Sequence, residues 1–241
     1  MIKNQKDITI VAISDIKLKQ TLNSLVVSSF QLNPAKTILF TSKSLYLDKK
    51  QSMSIDKVKI KPIKSLRDYS DFIIYSLYKY IETSHILIVQ WDGYIINTKK
   101  WDSDFLKYDY IGAPFIPREN EESYSKDSKG RFFSVGNGGF SLRSKSLLEA
   151  PTKYNLIDDV LFTNSHEDGF FSILHRKFLE SKGFKWAPFL IANKFSIESP
   201  LSFKDFRDLP FGFHGKKFYY FLKIKYLIKS LLDLIWKRSK F

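Results

Sequence analysis

The sequence predicts a single α/β domain in which helices flank a mostly parallel sheet. Strand-like and helix-like segments alternate over the first hundred residues, which is typical of βαβ units. The strand-like segments are nearly continuous apolar runs, as expected for strands buried on both faces. The length of 241 residues suits one domain, and 44% hydrophobic with 16% aromatic residues is ample for a core.

The elements of the first half follow in the order strand, helix, strand, strand, helix, strand. They are predicted over 7–14, 17–30, 36–42, 57–63, 66–82 and 85–92. Ligands of open α/β sheets bind beyond the carboxyl ends of the strands. Ser14, Asp15 and Asp92 follow such ends, so we expect them to face one crevice.

The second half is less regular. A polar run over 118–131 predicts a surface loop. A short helix is expected over 141–150, ending before Pro151. A longer helix is expected over 167–184, with Gly183 as its C-cap. Without repeats or a linker, residues 1–215 are predicted to be one domain, followed by a basic helix over 216–241.

Composition excludes several classes of protein. The absence of cysteine excludes disulfides and thiolate metal sites. No apolar segment has the length of a transmembrane helix or the form of a signal peptide, so a cytoplasmic location is predicted. The net charge of +14 calls for an acidic partner, which is nucleic acid, anionic lipid or a phosphorylated small molecule.

The stretch "ILIVQWDGYI" (86–95) brings a carboxylate to the end of a buried strand. Gly93 lets a ligand approach the backbone directly behind Asp92. A carboxylate placed there suits a divalent cation bound to a diphosphate. A turn aspartate that caps the next segment is the alternative from this stretch alone.

The stretch "SVGNGGFSLRS" (134–144) contains Gly136, Gly138 and Gly139 within four residues. These glycines predict positive φ angles and a close approach of the backbone to a ligand. Arg143 follows at a spacing that suits a phosphate contact. The stretch matches neither the P-loop nor the dinucleotide fingerprint, and a glycine-rich bend between strands is the alternative.

Two later stretches carry ionisable groups. In "NSHEDGFF" (164–171), Glu167 and Asp168 open a helix, where a carboxylate can be a general base or can simply favour the helix N-terminus. In "LPFGFHGKK" (209–217), His214 lies between two glycines. Imidazole suits Mn²⁺-like or Zn²⁺-like ions more than Mg²⁺, and a structural histidine is the alternative.

The order of these stretches resembles the layout of nucleotide-sugar glycosyltransferases of the GT-A fold, which is Rossmann-like. In inverting galactosyl- and N-acetylglucosaminyltransferases of that kind, an Asp-X-Asp motif and a late His hold Mn²⁺. A Gly-Gly segment shapes the pocket, and the Asp of a Glu-Asp pair is the base. The stretches "QWDGYI", "WDSDFLKYDYIGAPF", "VGNGGFSLRS", "HEDGFF" and "FGFHG" also look like a bacterial family of unknown function described as glycosyltransferase-like. This resemblance covers about residues 8–216.

The resemblance implies a role for each matching residue. Asp92 and His214 would bind Mn²⁺ or Mg²⁺, and Asp168, with Glu167 beside it, would be catalytic. The predicted substrate-binding residues are Ser14, Asp15, Trp91, Gly93, Asn137, Gly138, Gly139 and Arg143. The chain departs from the pattern at Gln90, where the related transferases have a further carboxylate. A metal-dependent and a metal-free mode therefore both stay open.

The sequence thus predicts an inverting transferase that takes a sugar from a nucleotide diphosphate sugar, a UDP-sugar first. The acceptor would be a hydroxyl of a glycan or lipid-linked glycan in bacterial surface polysaccharide synthesis. A non-catalytic carbohydrate-binding protein and a basic nucleic-acid-binding module are the alternatives. Against nucleic acid, the charge is concentrated at the C-terminus, and no RNA- or DNA-binding motif occurs.

The last 26 residues, 216–241, contain eight Lys and Arg against a single Asp, which is half of the net charge. On a helix their apolar residues form one broad face, comprising Phe221, Ile224, Leu227, Ile228, Leu231, Leu232, Leu234 and Ile235. Such a helix packs on its own domain or lies in a membrane interface. The basic surplus and Trp236 predict binding to anionic lipid at the inner membrane face. Deleting residues from about 218 onward is predicted to release the protein while sparing donor hydrolysis.

Overall fold

A computed structural model describes residues 5–48, 51, 54–115, 126, 129–159, 163, 165–198 and 208–224. Six strands of this part form one sheet: β1 (Gln5–Ile13), β2 (Pro34–Thr41), β3 (Asp56–Lys59), β4 (His85–Ile88), β5 (Tyr110–Gly112) and β6 (Ser141–Ser144). Their order is β3-β2-β1-β4-β6-β5. The first four strands run parallel, and β6 is antiparallel to β4 and β5. Two short strands, β7 (Ser196–Ile197) and β8 (Gly212–Phe213), pair separately.

Helices flank this sheet, so the predicted mostly parallel α/β fold is confirmed. The helices are α1 (Leu18–Leu32), α2 (Leu66–Tyr75), α3 (Lys145–Lys153), α4 (Glu167–Gly169), α5 (Arg176–Ser181), α6 (Phe189–Phe195) and α7 over 216–224. Short 3₁₀ turns lie at Leu77–Tyr80, Thr98–Lys100 and Ser103–Lys107. Within the described ranges, no helix has the length and apolar character needed to cross a membrane.

The core lies in two layers, one on each face of the sheet. Alternate residues of β1 serve the two layers: Ile10 and Ala12 face the layer with α1 and α6, and Val11 faces the layer with α2 and α3. This alternation explains why β1 is apolar along most of its length. Ser65 starts α2 with a capping box, which fixes the loop before this helix at the crevice.

The predicted helix over 141–150 is wrong in its first part. Residues Ser141–Ser144 form β6, which fills the gap between β4 and β5. Pairing on both edges makes these four residues a strand, although the residues after them have a helical pattern. The helix begins only at Lys145, with Ser144 as its N-cap, and it includes the buried Pro151.

The predicted helix over 167–184 is present but interrupted. After α4 the chain makes a π-helical turn over Phe170–Leu174, and α5 resumes at Arg176. The wider turn buries Phe170, Phe171 and Ile173 together. Gly183 has a φ of +93°, as a C-cap glycine requires. Most of the predicted polar loop over 118–131 lies outside the described residues.

The first turns of the C-terminal helix pack on the domain. Phe218, Tyr219 and Leu222 are buried in a cluster with Phe213 of β8 and Ile197 of β7. Residues 216–224 are therefore integrated with the domain, although the boundary was predicted at 215. The remaining residues of the predicted apolar face, from Leu227 onward, lie outside the described residues.

Candidate active site at the ends of β1 and β4

A cavity of about 360 Å³ lies at the carboxyl ends of β1 and β4. Three segments form its wall: residues 13–16 after β1, residues 63–66 with Tyr69 at the start of α2, and Gln90 with Trp91 after β4. Crevices at this edge of an open α/β sheet are the usual places for ligands. The size lies within the range of small-molecule sites. The predicted crevice is thus present with Ser14 and Asp15 in its wall, whereas Asp92 follows the wall residue Trp91 and does not itself line the cavity.

Asp15 holds the wall of this cavity together. Its Oδ1 accepts hydrogen bonds from Thr41 Oγ1 (2.8 Å) and Ser42 N (2.7 Å). Its Oδ2 accepts from Ser42 Oγ (2.6 Å) and Ile63 N (2.8 Å). Burial opposes ionisation, but the bonds from Ser42, Ile63 and Thr41 outweigh it and lower the pKa of Asp15 from 3.8 to about 2. Because a carboxylate has about four acceptor positions, these bonds leave little capacity for a ribose hydroxyl.

Two other side chains shape the turn after β1. Ser14 Oγ donates to Ile16 O (2.6 Å) and accepts from Ile16 N (3.2 Å), so this hydroxyl stabilises the turn. Lys17 has a φ of +46°, and its Nζ lies 3.3 Å from the centroid of the Trp91 ring. This cation–π contact places a positive charge one residue from Asp92. The sequence contained no signal for Lys17, since the contact joins two distant segments.

Asp92 and His214 meet next to this cavity. His214 Nε2 lies 3.7 Å from Asp92 Oδ1, and Gly215 N donates to Asp92 O (3.0 Å). Asp92 is only 6% exposed, and its Oδ1 has no hydrogen-bond partner among the described residues. Burial raises the pKa of Asp92, and the nearby His214 only partly opposes the effect. A carboxylate in this setting carries its charge at a cost.

His214 is surrounded by acceptors. Its Nε2 lies 3.1 Å from Gln90 Oε1, and its Nδ1 lies 3.5 Å from Glu198 Oε1. Burial acts to lower the pKa of His214, but Glu198 and Asp92 outweigh it and the pKa is raised. Gln90 Nε2 in turn donates to the hydroxyl of Tyr69 (2.9 Å) in the cavity wall. Gln90, Glu198 and Tyr69 are site residues that sequence reasoning did not assign.

The predicted glycines bring the backbone close to these side chains. A Cβ at Gly139 would collide with the His214 ring, and one at Gly93 would lie 2.9 Å from Phe213 O. The close approach predicted for this stretch is therefore present, although the close neighbours are residues of the protein itself. The positive φ angles predicted for Gly136, Gly138 and Gly139 are wrong, because the described glycines with positive φ are Gly130, Gly183 and Gly215.

Asp168 lies beside the glycine stretch, at the start of α4. Its Oδ2 accepts from Gly138 N (3.1 Å), and its Oδ1 accepts from Gly169 N (2.8 Å). The side chain is 6% exposed. The neighbouring Gly139 lies against the His214 ring, so adjacent glycines of this stretch contact Asp168 and His214. Asp92, His214 and Asp168 are therefore brought to one region, as the resemblance implied.

Arg143 and Glu167 form a buried ion pair instead of contacting the cavity. Arg143 Nη2 donates to Glu167 Oε1 (2.7 Å), and the two side chains are 0% and 5% exposed. Arg143 also lies over the ring of Tyr110, with its Cζ 4.7 Å from the centroid. A fully buried guanidinium cannot reach a phosphate in solution. The predicted phosphate contact of Arg143 is therefore not supported by its position.

The remaining predicted contacts divide between the cavity and the core. Asn137 is 6% exposed, and its Oδ1 accepts from Gly139 N (3.3 Å), so it stabilises the glycine turn. Trp91 lines the cavity and contacts Tyr219 of α7 edge-on. Tyr94 packs on Phe213, and Trp101 packs on Phe105 and Phe211. Of these three aromatic residues, Trp91 is the one in the cavity wall.

The residues around Asp92 fit a divalent cation. Asp92 Oδ1 is a buried oxygen without a hydrogen-bond partner in the described part of the chain, which a cation would satisfy. His214 Nε2 lies 3.1 Å from Gln90 Oε1 and 3.7 Å from Asp92 Oδ1, and Glu198 Oε1 lies 3.5 Å from the other ring nitrogen. Within the described ranges, no cluster of three or more His, Cys, Asp or Glu side chains could hold a metal ion by itself. Diphosphate oxygens and water would have to complete the coordination.

The sheet and the crevice define a Rossmann-like α/β protein with a glycosyltransferase-like fold. A glycosyltransferase involved in the glycosylation of the major capsid of PBCV-1 is similar over 86% of this chain and 92% of its own, with a TM-score of 0.50 and 12% identity. At this identity the likeness shows the fold, and the activity has to be argued from the site.

Two further solved structures are similar at lower TM-scores. One is the glycosyltransferase GlyE of Streptococcus pneumoniae TIGR4, with 12% identity, coverage of 88% of this chain and 54% of its own, and a TM-score of 0.46. The other is the mannosyltransferase PcManGT from Pyrobaculum calidifontis in complex with GDP-Man and Mn²⁺, with 9% identity, coverage of 76% and 55%, and a TM-score of 0.45. The chain spans about half the length of these two proteins.

The chain belongs to the family described as Protein of unknown function (DUF5672), whose model matches residues 52–214. No curated protein matches the chain by sequence. Gln90, Asp92, Asp168 and His214 all lie within the matched range. Membership in a family of unknown function is thereby confirmed, while the glycosyltransferase-like description of that family and the GT-A assignment stay predictions.

Proposed function

We propose that this protein is a glycosyltransferase that moves a sugar from a nucleotide diphosphate sugar to a hydroxyl acceptor. The observation that carries the proposal is the meeting of Asp92 and His214 next to the cavity at the ends of β1 and β4, with Asp168 joined to them through the glycine stretch. These three groups are distant in sequence, and two of them are buried carboxylates. Ionisable groups with perturbed pKa values beside a cleft are typical of active sites.

The donor would occupy the cavity and the adjacent surface around Asp92. The nucleoside would lie between the turn after β1 and Tyr69, where the wall is mostly apolar with a few polar groups. The diphosphate would extend toward Asp92, Gln90 and His214, with the Lys17 ammonium beside it. Mn²⁺ or Mg²⁺ held by these three residues would neutralise charge on the leaving diphosphate.

Asp168 would be the general base. Its carboxylate would take the proton of the acceptor hydroxyl as the acceptor oxygen forms a bond to the anomeric carbon. The bond between that carbon and the phosphate oxygen breaks at the same time, and attack from the opposite face inverts the configuration. The amides of Gly138 and Gly169 hold the two carboxylate oxygens in fixed directions.

The finer assignments are part of the same proposal. We propose a UDP-sugar as donor and a glycan or lipid-linked glycan of bacterial surface polysaccharide as acceptor. The exposed side of α7 supports action at the inner membrane face, because Tyr220, Phe221 and Ile224 are exposed beside Lys217 and Lys223. Apolar and basic residues together favour an anionic lipid surface.

Donor binding is the first test of this function. A thermal-shift screen of nucleotide diphosphate sugars, with and without Mn²⁺, should show a higher melting temperature for the true donor. The same donor should be hydrolysed slowly without acceptor. A protein that binds glycans but neither binds nor hydrolyses any donor would be the carbohydrate-binding alternative. Salt-dependent binding of random oligonucleotides without donor binding would favour the nucleic-acid alternative.

The membrane proposal needs a separate test. The intact chain should sediment with vesicles containing anionic lipid at low salt, and deletion of 225–241 should release it while donor hydrolysis persists. This cut replaces the predicted one at 218, because Phe218, Tyr219 and Leu222 are part of the core. Equal sedimentation of the two forms would contradict the assignment of the tail.

A further inference from the structure

Arg143 is connected to Asp168 by two separate routes. On one side, Arg143 Nε donates to Ser141 Oγ (3.1 Å), and Ser141 Oγ donates to Gly138 O (2.9 Å). The amide of Gly138 then donates to Asp168 Oδ2 (3.1 Å). On the other side, Arg143 Nη2 donates to Glu167 Oε1 (2.7 Å), and Glu167 directly precedes Asp168 in the chain. The two routes close a ring around the proposed base.

The packing around this ring leaves little freedom. A Cβ at Gly138 would collide with Glu167 Oε1, would lie 2.8 Å from Arg143 Nη2 and would lie 3.1 Å from Asp168 Cβ. The guanidinium lies over Tyr110 and near Phe171, which buries its faces. Arg143 comes from β6, and Glu167 and Asp168 come from α4, so the ring ties the base to the sheet.

An ion pair of this kind is a poor way to stabilise a core. Apolar residues of similar volume are often equally or more stable than a buried Arg–Glu pair, because the desolvation cost is high. Arg143 is 0% exposed, and its Nη1 has no hydrogen-bond partner among the described residues. A buried charge that is not fully satisfied points to a role other than stability. Orientation of a neighbouring catalytic group is such a role.

We propose that Arg143 is a positioning residue that fixes the carboxylate of Asp168 through Ser141 and Glu167. The proposal rests on the proposed function, since it takes Asp168 as the base. Arg143 touches neither donor nor acceptor. It keeps Gly138 and the start of α4 at the separation that the hydrogen bond from Gly138 N to Asp168 Oδ2 requires.

The sharpest test is Ser141→Ala, which cuts one route and leaves the Arg143–Glu167 pair in place. We expect kcat to fall about 10–100-fold, the cost of a small misplacement of a reacting group, with the donor KM within about 3-fold of wild type. Arg143→Lys, which keeps the charge but cannot bridge both partners, should act in the same direction. Ser28→Ala is the matched control, because Ser28 is also fully buried and its hydroxyl accepts one hydrogen bond, from Ile95 N. The control should lose stability without losing kcat.

A second measurement does not depend on activity. Hydrogen exchange at the amides of Gly138 and Gly169 reports the two bonds to Asp168, and Ser141→Ala should speed exchange at Gly138 at least 10-fold relative to Ser28→Ala. Unchanged kcat or unchanged protection in Ser141→Ala would overturn the proposal, even if Arg143→Lys fails to fold. If the wild-type protein transfers and hydrolyses no donor, the proposed function fails, and amide exchange alone decides whether Arg143 organises Asp168.

Discussion

Asp15 and Asp92 occupy equivalent places, one after β1 and the other after β4, yet the fold treats their charges in opposite ways. Asp15 accepts four hydrogen bonds, and its pKa is lowered to about 2. Asp92 is buried with an oxygen that lacks a hydrogen-bond partner in the described part of the chain, and its pKa is raised. The same sequence signal, a carboxylate at the end of an apolar strand, has two physical outcomes.

The opposite pKa shifts mean that the charge of Asp15 stabilises the folded state, whereas the charge of Asp92 destabilises it. Hydrogen bonds to Asp15 favour its ionised form, so folding gains from that charge. Burial of Asp92 disfavours its ionised form, so folding loses from the charge unless a cation or a ligand compensates. Active sites commonly retain such unfavourable groups at the expense of stability. On this basis we propose that Asp92 takes part in the chemistry, while Asp15 stabilises the cavity wall.

The largest expected effect is that of Asp92→Asn on turnover. We expect sugar transfer and donor hydrolysis to fall by at least about 10³-fold, because the charge that would hold the cation is lost. Stability at neutral pH should be equal to or higher than that of wild type, because a buried charge is removed. Turnover is measured with the donor that the screen identifies, and stability is measured by urea denaturation. A clear loss of stability would move Asp92 into the class of Asp15.

The role of the metal is separated by chelation. EDTA should reproduce the loss seen in Asp92→Asn, and His214→Ala should weaken donor binding in the presence of Mn²⁺. Activity that is lost in Asp92→Asn but indifferent to EDTA would support a metal-free site, in which Lys17 and His214 provide the positive charge near the diphosphate.

Asp168 and Glu167 are a second pair of carboxylates in which we assign one to the chemistry and the other to stability. Asp168→Asn should lower kcat by about 10²–10⁴-fold, with donor affinity little changed, since a positioned base has this effect. Glu167→Gln should lower kcat less but destabilise the protein by about 3–5 kcal/mol, because it leaves Arg143 buried without its counter-charge. Steady-state kinetics on both variants measure the loss of kcat, and urea denaturation measures the loss of stability. Reversed effects on kcat would make Glu167 the base.

Much of the fold followed from local patterns. Apolar strands and amphipathic helices alternate in the first half, and the order of these elements already places Ser14, Asp15 and Asp92 at one edge of the sheet. The second half was less predictable because β6 is a strand only through its two neighbours. Four residues, Ser141–Ser144, carry no periodicity that could outweigh the helical pattern of the residues after them.

The candidate site was predictable only in part, and chiefly through the family resemblance. Spacing alone does not bring Asp92, Asp168 and His214 together. Arg143 was misjudged because an arginine after glycines suits a phosphate as well as it suits a buried carboxylate. The partners Tyr69 and Glu198 are far in sequence from the residues that they contact, so no local signal identifies them.

A smaller effect is expected for Asp15→Asn, and it should fall on stability. Two of the four donors around Asp15 would face the amide nitrogen of asparagine, so we expect a loss of about 2–3 kcal/mol in the free energy of unfolding. Turnover at saturating donor should change much less than in Asp92→Asn. Normal stability combined with lost donor binding would instead support the predicted contact of Asp15 with the ribose.

The smallest effect is the pH dependence that distinguishes the two aspartates. The pKa of Asp15 is about 2 in the folded protein, below its ordinary value of 3.8, so its contribution is complete above about pH 4 and is lost as the pH falls toward 2. The stability difference between wild type and Asp15→Asn should therefore narrow over this range. Asp92 has the opposite sign, because its raised pKa makes the folded state bind the proton more tightly.

For Asp92, stability falls as the pH rises from about 4 through the raised pKa, since the folded protein then has to release a proton that it holds better than the unfolded chain. Asp92→Asn removes this penalty, so its stability relative to wild type should grow from pH 4 to pH 7. Urea midpoints of the wild type and both variants, measured from pH 2.5 to 7, test the two signs together. Parallel curves for the two variants would show that Asp15 and Asp92 are electrostatically alike and would remove the physical basis for assigning them different roles.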